Sequence, residues 1–189
     1  MANGICVYAE SYNGELETVA AELVSAAKGL AETTKEKVQA IVLSDHAEEL
    51  VKELDKLGVD EIYAVKADHD ITLQDDAVSA AIAEMLKKIE PSAVLVPATP
   101  QGRSIFSRVA MRLGCGMTED GSFYIKQNKP SYGENVFVTI LTKEGIYPQM
   151  MTVRPGVYAA CEAKESGNAN VIFFDDIKIE KSGVEILEE

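Results

Sequence analysis

The sequence predicts an α/β protein with a doubly wound, mainly parallel sheet and antiparallel edge strands in its C-terminal part. Short apolar runs recur at 5–9, 40–43, 62–65 and 93–97, too uniformly apolar for a strand with one wet face. Stretches with apolar residues at helical spacing lie between them. After Gly116 the helical stretches stop while strand-like runs continue. The chain has 189 residues, 47% of them hydrophobic and 26% charged, which is enough apolar material for one sizeable core.

Taken in order, Ile5-Cys6-Val7-Tyr8-Ala9 is a buried strand and Asn13-Gly14 a turn. Leu16, Val19, Ala20, Leu23, Val24, Ala27 and Leu30 fall on one helical face. Ala40 to Leu43 is a second strand, with Ser44 or Asp45 able to cap the helix that lines up Leu50, Leu54 and Leu57 before Gly58. Ile62 to Val65 is a third strand. A helix from about Gln74 to Ile89 stops at Glu90-Pro91. Ala93 to Pro97 is a fourth strand, and Ser104 to Leu113 a fourth helix. This alternation predicts the strand order 3-2-1-4, with the helices as crossovers. Beyond Gly116, the runs Ser122 to Ile125, Val136 to Leu141 and Met150 to Val153 have only turn-rich segments between them, which predicts antiparallel pairing at one sheet edge. Residues 1–164 read as one domain, and 165–189 as a linker followed by short β-like pieces.

Charge narrows the function classes. A formal charge of −13 lacks the cationic surplus that nucleic-acid phosphates or anionic membranes attract. Three cysteines without a C-x-x-C pair and only two histidines argue against a zinc site or a disulfide framework, and free thiols suit a reducing, cytoplasmic compartment. No signal peptide or membrane-length apolar run is readable. Residues 1–100 carry 8 basic and 19 acidic side chains, whereas residues 101–150 carry 6 and 4. All four arginines lie between positions 103 and 154.

That window holds the candidate site. Thr99-Pro100-Gln101-Gly102-Arg103 joins the fourth strand to the fourth helix, where an open parallel sheet places its ligand crevice. Gly102 lets backbone approach, and a helix start offers free N–H groups to an anion. The same residues also read as a tight turn with a surface arginine. Arg108 and Arg112 stand one turn apart on the polar side of that helix, either as locally paired charges or as a partner-facing ladder. Asp68-His69-Asp70 reads as a polar loop, because no nucleophile is in view. Asp75-Asp76 and Asp175-Asp176 read as caps or solvated pairs rather than metal ligands. No catalytic set and no metal site emerges. Arg154, between a strand and Pro155-Gly156, reads as structural, a guanidinium able to fix the chain's exit.

The sequence resembles the electron transfer flavoprotein alpha subunit. The resemblance rests on Val96 to Arg103, Arg108 to Gly114 and Pro148 to Val157, with support from Lys129 to Asn135 and from Val7 to Leu16. It implies an adenine-nucleotide-hydrolase-like fold and a scaffold role in a heterodimer. In that complex the chain would pair with the electron transfer flavoprotein beta subunit and pass electrons from acyl-CoA or other dehydrogenases to an acceptor. The implied FAD would be bound mainly by a domain into which residues after Gly167 lead, and by nothing on this chain alone. Arg108, Arg112, Tyr132 and Asn135 become the candidates for the partner interface, and Arg154 and Gly156 the structural close of the sheet. The alternative is a free-standing adenine-nucleotide-binding module using Thr99, Gln101, Gly102 and Arg103.

Overall fold

The computed structural model describes residues 2–115, 126–130, 137–141 and 145–181. The chain opens with β1 (Ile5–Tyr8), the small hairpin β2 (Ser11–Tyr12) and β3 (Glu15–Leu16), and α1 (Val19–Thr34). β4 (Val38–Ser44), α2 (Ala47–Lys56), β5 (Glu61–Lys66), α3 (Asp75–Ile89), β6 (Ala93–Pro97) and α4 (Pro100–Leu113) follow. The last elements are β7 (Lys126–Pro130), β8 (Phe137–Leu141), β9 (Gln149–Val153) and β10 (Asn170–Phe173).

Six strands form one sheet in the order β10-β5-β4-β1-β6-β9, and every neighbouring pair is parallel. Its centre, β5-β4-β1-β6, is the order that the alternation predicts. Alternate residues of each strand face opposite layers. Ile5 and Val7 join the core under α1 and α2, while Cys6 and Tyr8 join the core under α3 and α4. β1 is therefore buried on both faces, which is why its sequence shows no polar alternation.

The edges differ from expectation. Both edge strands, β9 beside β6 and β10 beside β5, run parallel to their neighbours. An antiparallel pair does form in the C-terminal part, but β7 and β8 make a separate two-stranded sheet. The physical reason lies in α4, which supplies the return from β6, so β9 enters like any β-α-β partner and the β7–β8 hairpin is an insertion between them.

From Arg154 the chain leaves β9 and reaches β10 at the opposite edge as an extended belt across the α1/α2 layer. Its backbone is pinned along the way. Gly156 N–H donates to Glu22 Oε2 (2.7 Å), Cys161 N–H to the Ala21 carbonyl (3.2 Å) and Lys164 N–H to the Lys56 carbonyl (2.8 Å). The Asp55 carboxylate accepts from Gly167 N–H (3.2 Å) and Ala169 N–H (2.8 Å). A Cβ on Gly167 would lie 2.0 Å from the Asp55 carbonyl oxygen, so only glycine fits this close approach. Beyond β10, Ile177 and Ile179 are buried against the α3/α4 core. Tyr63 stacks on Phe174, with Lys88 over the same ring and bonded to Asp176.

Candidate functional site

In a sheet wound in both directions, a crevice opens where the chain reverses its direction of winding. Here that point lies between β1 and β6. The residues after β1, Ala9 and Glu10, face those after β6, Ala98 and Thr99. Ala98 N–H donates to the Val153 carbonyl (2.8 Å), which seats the loop against β9. Thr99 caps α4, its Oγ1 accepting from Gly102 N–H at 2.9 Å, and Pro100 supplies the preset first turn.

The same hydroxyl donates to Glu10 Oε2 at 2.7 Å. Glu10 is only 6% exposed, and burial raises its carboxyl above the usual range against the opposing effect of the Thr99 bond. α4 carries no acid in its own first turn. It is instead served by two carboxylates from other elements, Glu10 through Thr99 and Asp75 through Ser104 Oγ.

Gly102 has a different role from the one its position suggests. A Cβ there would stand 2.2 Å from the Pro97 carbonyl oxygen. The glycine lets α4 pack onto the end of β6. Of the four crevice candidates, only Gln101 lines the neighbouring cavity, while Arg103 is exposed. That cavity, about 110 Å³, lies over the ends of β1 and β4, with Tyr8, Asn13, Ser44, Asp45, His46 and Asp70 in its wall. Hydrogen bonds from Thr72 hold the Asp70 carboxyl below the usual range. The space is small and has two carboxylates, Asp45 and Asp70, in its wall, which disfavours a polyanionic ligand there.

The arginine ladder is engaged within the chain. Arg108 Nη1 donates to the Ser104 carbonyl and Oγ, both at 2.7 Å, and lies 3.9 Å from Asp75. Arg112 Nη2 donates to Asp76 at 2.8 Å and its Nε to Ser79 Oγ at 3.3 Å. Both therefore tie α4 to α3. Met111 stands between them, 83% exposed. Tyr132 and Asn135 lie outside the described residues. Arg154 is exposed, and the close of β9 is anchored by Gly156, whose φ of 81° makes the turn to Glu22.

The Asp68-His69 pair is hydrogen-bonded at 2.5 Å, and the second His69 nitrogen lies 3.3 Å from Gln74 Oε1, an ordering of the loop before α3. Cys6 and Cys115 are buried, and burial raises both thiols. Among the described residues no His, Cys, Asp and Glu cluster is arranged to hold a metal ion, and no helix is long and apolar enough to cross a membrane. Sequence reasoning missed Glu10 and Met111. The signals were an acid directly after an apolar strand, and a methionine off the apolar stripe of Ile105, Phe106, Val109 and Ala110.

Comparison with known proteins gives the family. The model of the electron transfer flavoprotein domain matches residues 5–177. An electron transfer flavoprotein subunit alpha of Thermoanaerobacterium thermosaccharolyticum is 33% identical over 178 residues, covering 90% of this chain and 54% of its own length. The LctC subunit of a lactate dehydrogenase (NAD(+),ferredoxin) of Acetobacterium woodii is 31% identical, over 98% of this chain and 46% of its own. The protein FixB of Bradyrhizobium diazoefficiens is 28% identical, with 81% and 44% covered. The chain thus spans about half the length of the curated relatives it matches. With its doubly wound sheet and a family match running from β1 to beyond β10, the chain belongs to the electron transfer flavoprotein family.

Proposed function

We propose that this chain is the partner-pairing scaffold domain of a FAD-containing electron transfer flavoprotein of the alpha type, carrying electrons from dehydrogenases to an acceptor. The single observation that carries the reading is the family match over residues 5–177, together with relatives named as electron transfer subunits. In this reading the domain performs no chemistry of its own. The flavin is held mainly by residues outside this chain. The docking partner is a beta-type subunit, and α4 contributes to the contact through Met111. An exposed methionine flanked by arginines already held in place by Asp75 and Asp76 offers an apolar knob with ordered cations around it, the composition favoured at interface centres.

The test is to express the chain with and without a beta-type subunit and measure association by titration calorimetry and flavin by visible absorbance. The chain alone is expected to purify colourless and to bind the partner. Met111→Asp should weaken that association by about tenfold or more, equivalent to the loss of one interface anchor. Flavin retained by the chain alone, or no measurable association with the partner, would overturn the reading.

A further inference from the structure

We infer that Glu10 is a built-in anion that closes the strand-end crevice of this domain to phosphate-bearing ligands. The inference deepens the scaffold reading and rests on it. Three independent features of the crevice agree. The first is the position of the carboxylate, at the one place where an incoming phosphate would meet the start of α4. Glu10 Oε2 accepts from Thr99 Oγ1 at 2.7 Å, and that hydroxyl accepts from Gly102 N–H at 2.9 Å. Helix start and carboxylate are therefore only two hydrogen bonds apart.

The second feature is the account of donors. Pro100 has no N–H, Gly102 N–H is taken by Thr99 Oγ1, and Arg103 N–H is taken by the Thr99 carbonyl at 3.1 Å. Gln101 and the capping Thr99 keep the two N–H groups at this helix start that have no partner among the described residues, few for a phosphate cradle. The third is space. Gly102 already packs its Cα against the Pro97 carbonyl, so no backbone recess lies behind it. Asp75, bonded to Ser104 Oγ, adds a second negative charge on the far side of the same helical turn.

Glu10 also holds a structural position that a ligand would otherwise have to supply. Its backbone carbonyl accepts from Glu17 N–H at 3.0 Å, which closes the β2–β3 hairpin against the body. The side chain bridges β1 to the loop after β6. A carboxylate here acts as an internal counter-charge for the positive end of α4 and binds the two halves of the sheet across the crevice.

The experiment titrates the 189-residue chain with AMP and with inorganic pyrophosphate, by calorimetry and phosphorus NMR, for the parent and for Glu10→Gln, Glu10→Ala, Glu10→Asp and Thr99→Val. The parent is expected to bind neither ligand more tightly than the millimolar range. Glu10→Gln, which keeps an acceptor for Thr99, and Glu10→Ala should each tighten pyrophosphate binding by about ten- to hundredfold, the effect of removing a like charge about 6 Å away at an effective dielectric constant of about 20. Glu10→Asp keeps the charge, and Thr99→Val removes both the α4 cap and the bond to Glu10 but leaves the carboxylate in place, so neither should tighten binding. Folded Glu10→Gln and Glu10→Ala chains with the parent's affinity would overturn the inference while leaving the scaffold reading intact. Equal tightening in Thr99→Val would do the same, by showing that the cap and not the charge is the barrier. Micromolar binding by the parent would overturn both. Should Glu10→Ala fail to fold, the isosteric Glu10→Gln and the charge-conserving Glu10→Asp decide the matter between them.

Discussion

Replacing Asp55 by alanine should detach the belt from α2 and lower the stability of the whole sheet edge. The carboxylate accepts two backbone N–H groups, from Gly167 at 3.2 Å and Ala169 at 2.8 Å, and both bonds are part-buried. A hydrogen bond to a charged group contributes about 1.5–3 kcal/mol when well shielded. One of these is long and water reaches the site, so the pair together is worth about 2–3 kcal/mol. For a chain of this size each kcal/mol moves the melting temperature by about 2–4 °C, which gives a fall of about 4–12 °C. Asp55→Asn, which keeps one carbonyl oxygen, should lose about half as much. Thermal and urea denaturation followed by circular dichroism measure the total. Amide exchange locates it, with Ala169 and Phe174, whose N–H donates to the Ala64 carbonyl, exchanging faster while β1 and β4 are unchanged. A melting temperature within about 1 °C of the parent, or exchange that speeds up uniformly, would refute the idea that Asp55 fastens the belt.

Three further outcomes follow from the site. Gly102→Ala places a Cβ 2.2 Å from the Pro97 carbonyl oxygen and should cost about 1–3 kcal/mol, read as a lowered urea midpoint; an unchanged midpoint would show that α4 shifts freely on β6. Burial holds the Glu10 carboxyl above its usual range, so the stability it contributes is complete below the unfolded value of about 4.3 and is lost as pH rises through the raised native value. Glu10→Gln should therefore gain melting temperature over the parent as pH goes from about 4 to 7, and a pH-independent gap would contradict this. Arg112→Ala breaks an exposed pair with Asp76 and should change stability by less than about 1 kcal/mol in a double-mutant cycle; a larger coupling would mean that the α3–α4 seam depends on the charge.

The central sheet was readable because its strands are buried on both faces. Ala40, Ile41, Val42 and Leu43 are all apolar for the same reason that they are all buried, and no competing pattern shares that stretch. The direction of β9 was not readable, since Gln149 to Val153 looks the same whether its neighbour runs parallel or antiparallel. Direction is a property of the connection, and the β7–β8 insertion masked the fact that α4 already supplied it. β10 was visible as a strand, but its partner β5 lies more than a hundred residues earlier, and local patterning carries no information on so distant a pairing. The loop at Thr99 was read both as a crevice candidate and as a tight turn, and local patterning could not show that its hydroxyl bonds to Glu10, 89 positions away. Arg108 and Arg112 show the opposite case. Their carboxylate partners, Asp75 and Asp76, were visible in the sequence as helix-starting acids, and only the packing of α3 on α4 brings them together.

The belt also sets an order of events in folding. Its contacts join residues 134 positions apart at Glu22 and Gly156, and 114 apart at Asp55 and Ala169. Closing such loops costs entropy before any contact forms to offset it, and non-local closure slows folding. The β5-β4-β1-β6 centre can assemble from short β-α-β returns, whereas β10 has nowhere to dock until β5 is in place and the belt has crossed two finished helices. The expected outcome is that β10 seats after β5, with the Asn170 to Phe174 amides protected last in pulsed-exchange refolding; protection of these amides together with β1 and β4 would refute it. The edge of β5 is covered only by a strand that arrives late, and an unpaired strand edge invites pairing with other chains. During that interval, a chain with a weakened belt is exposed to aggregation through β5, even if its finished sheet is nearly as stable as the parent's.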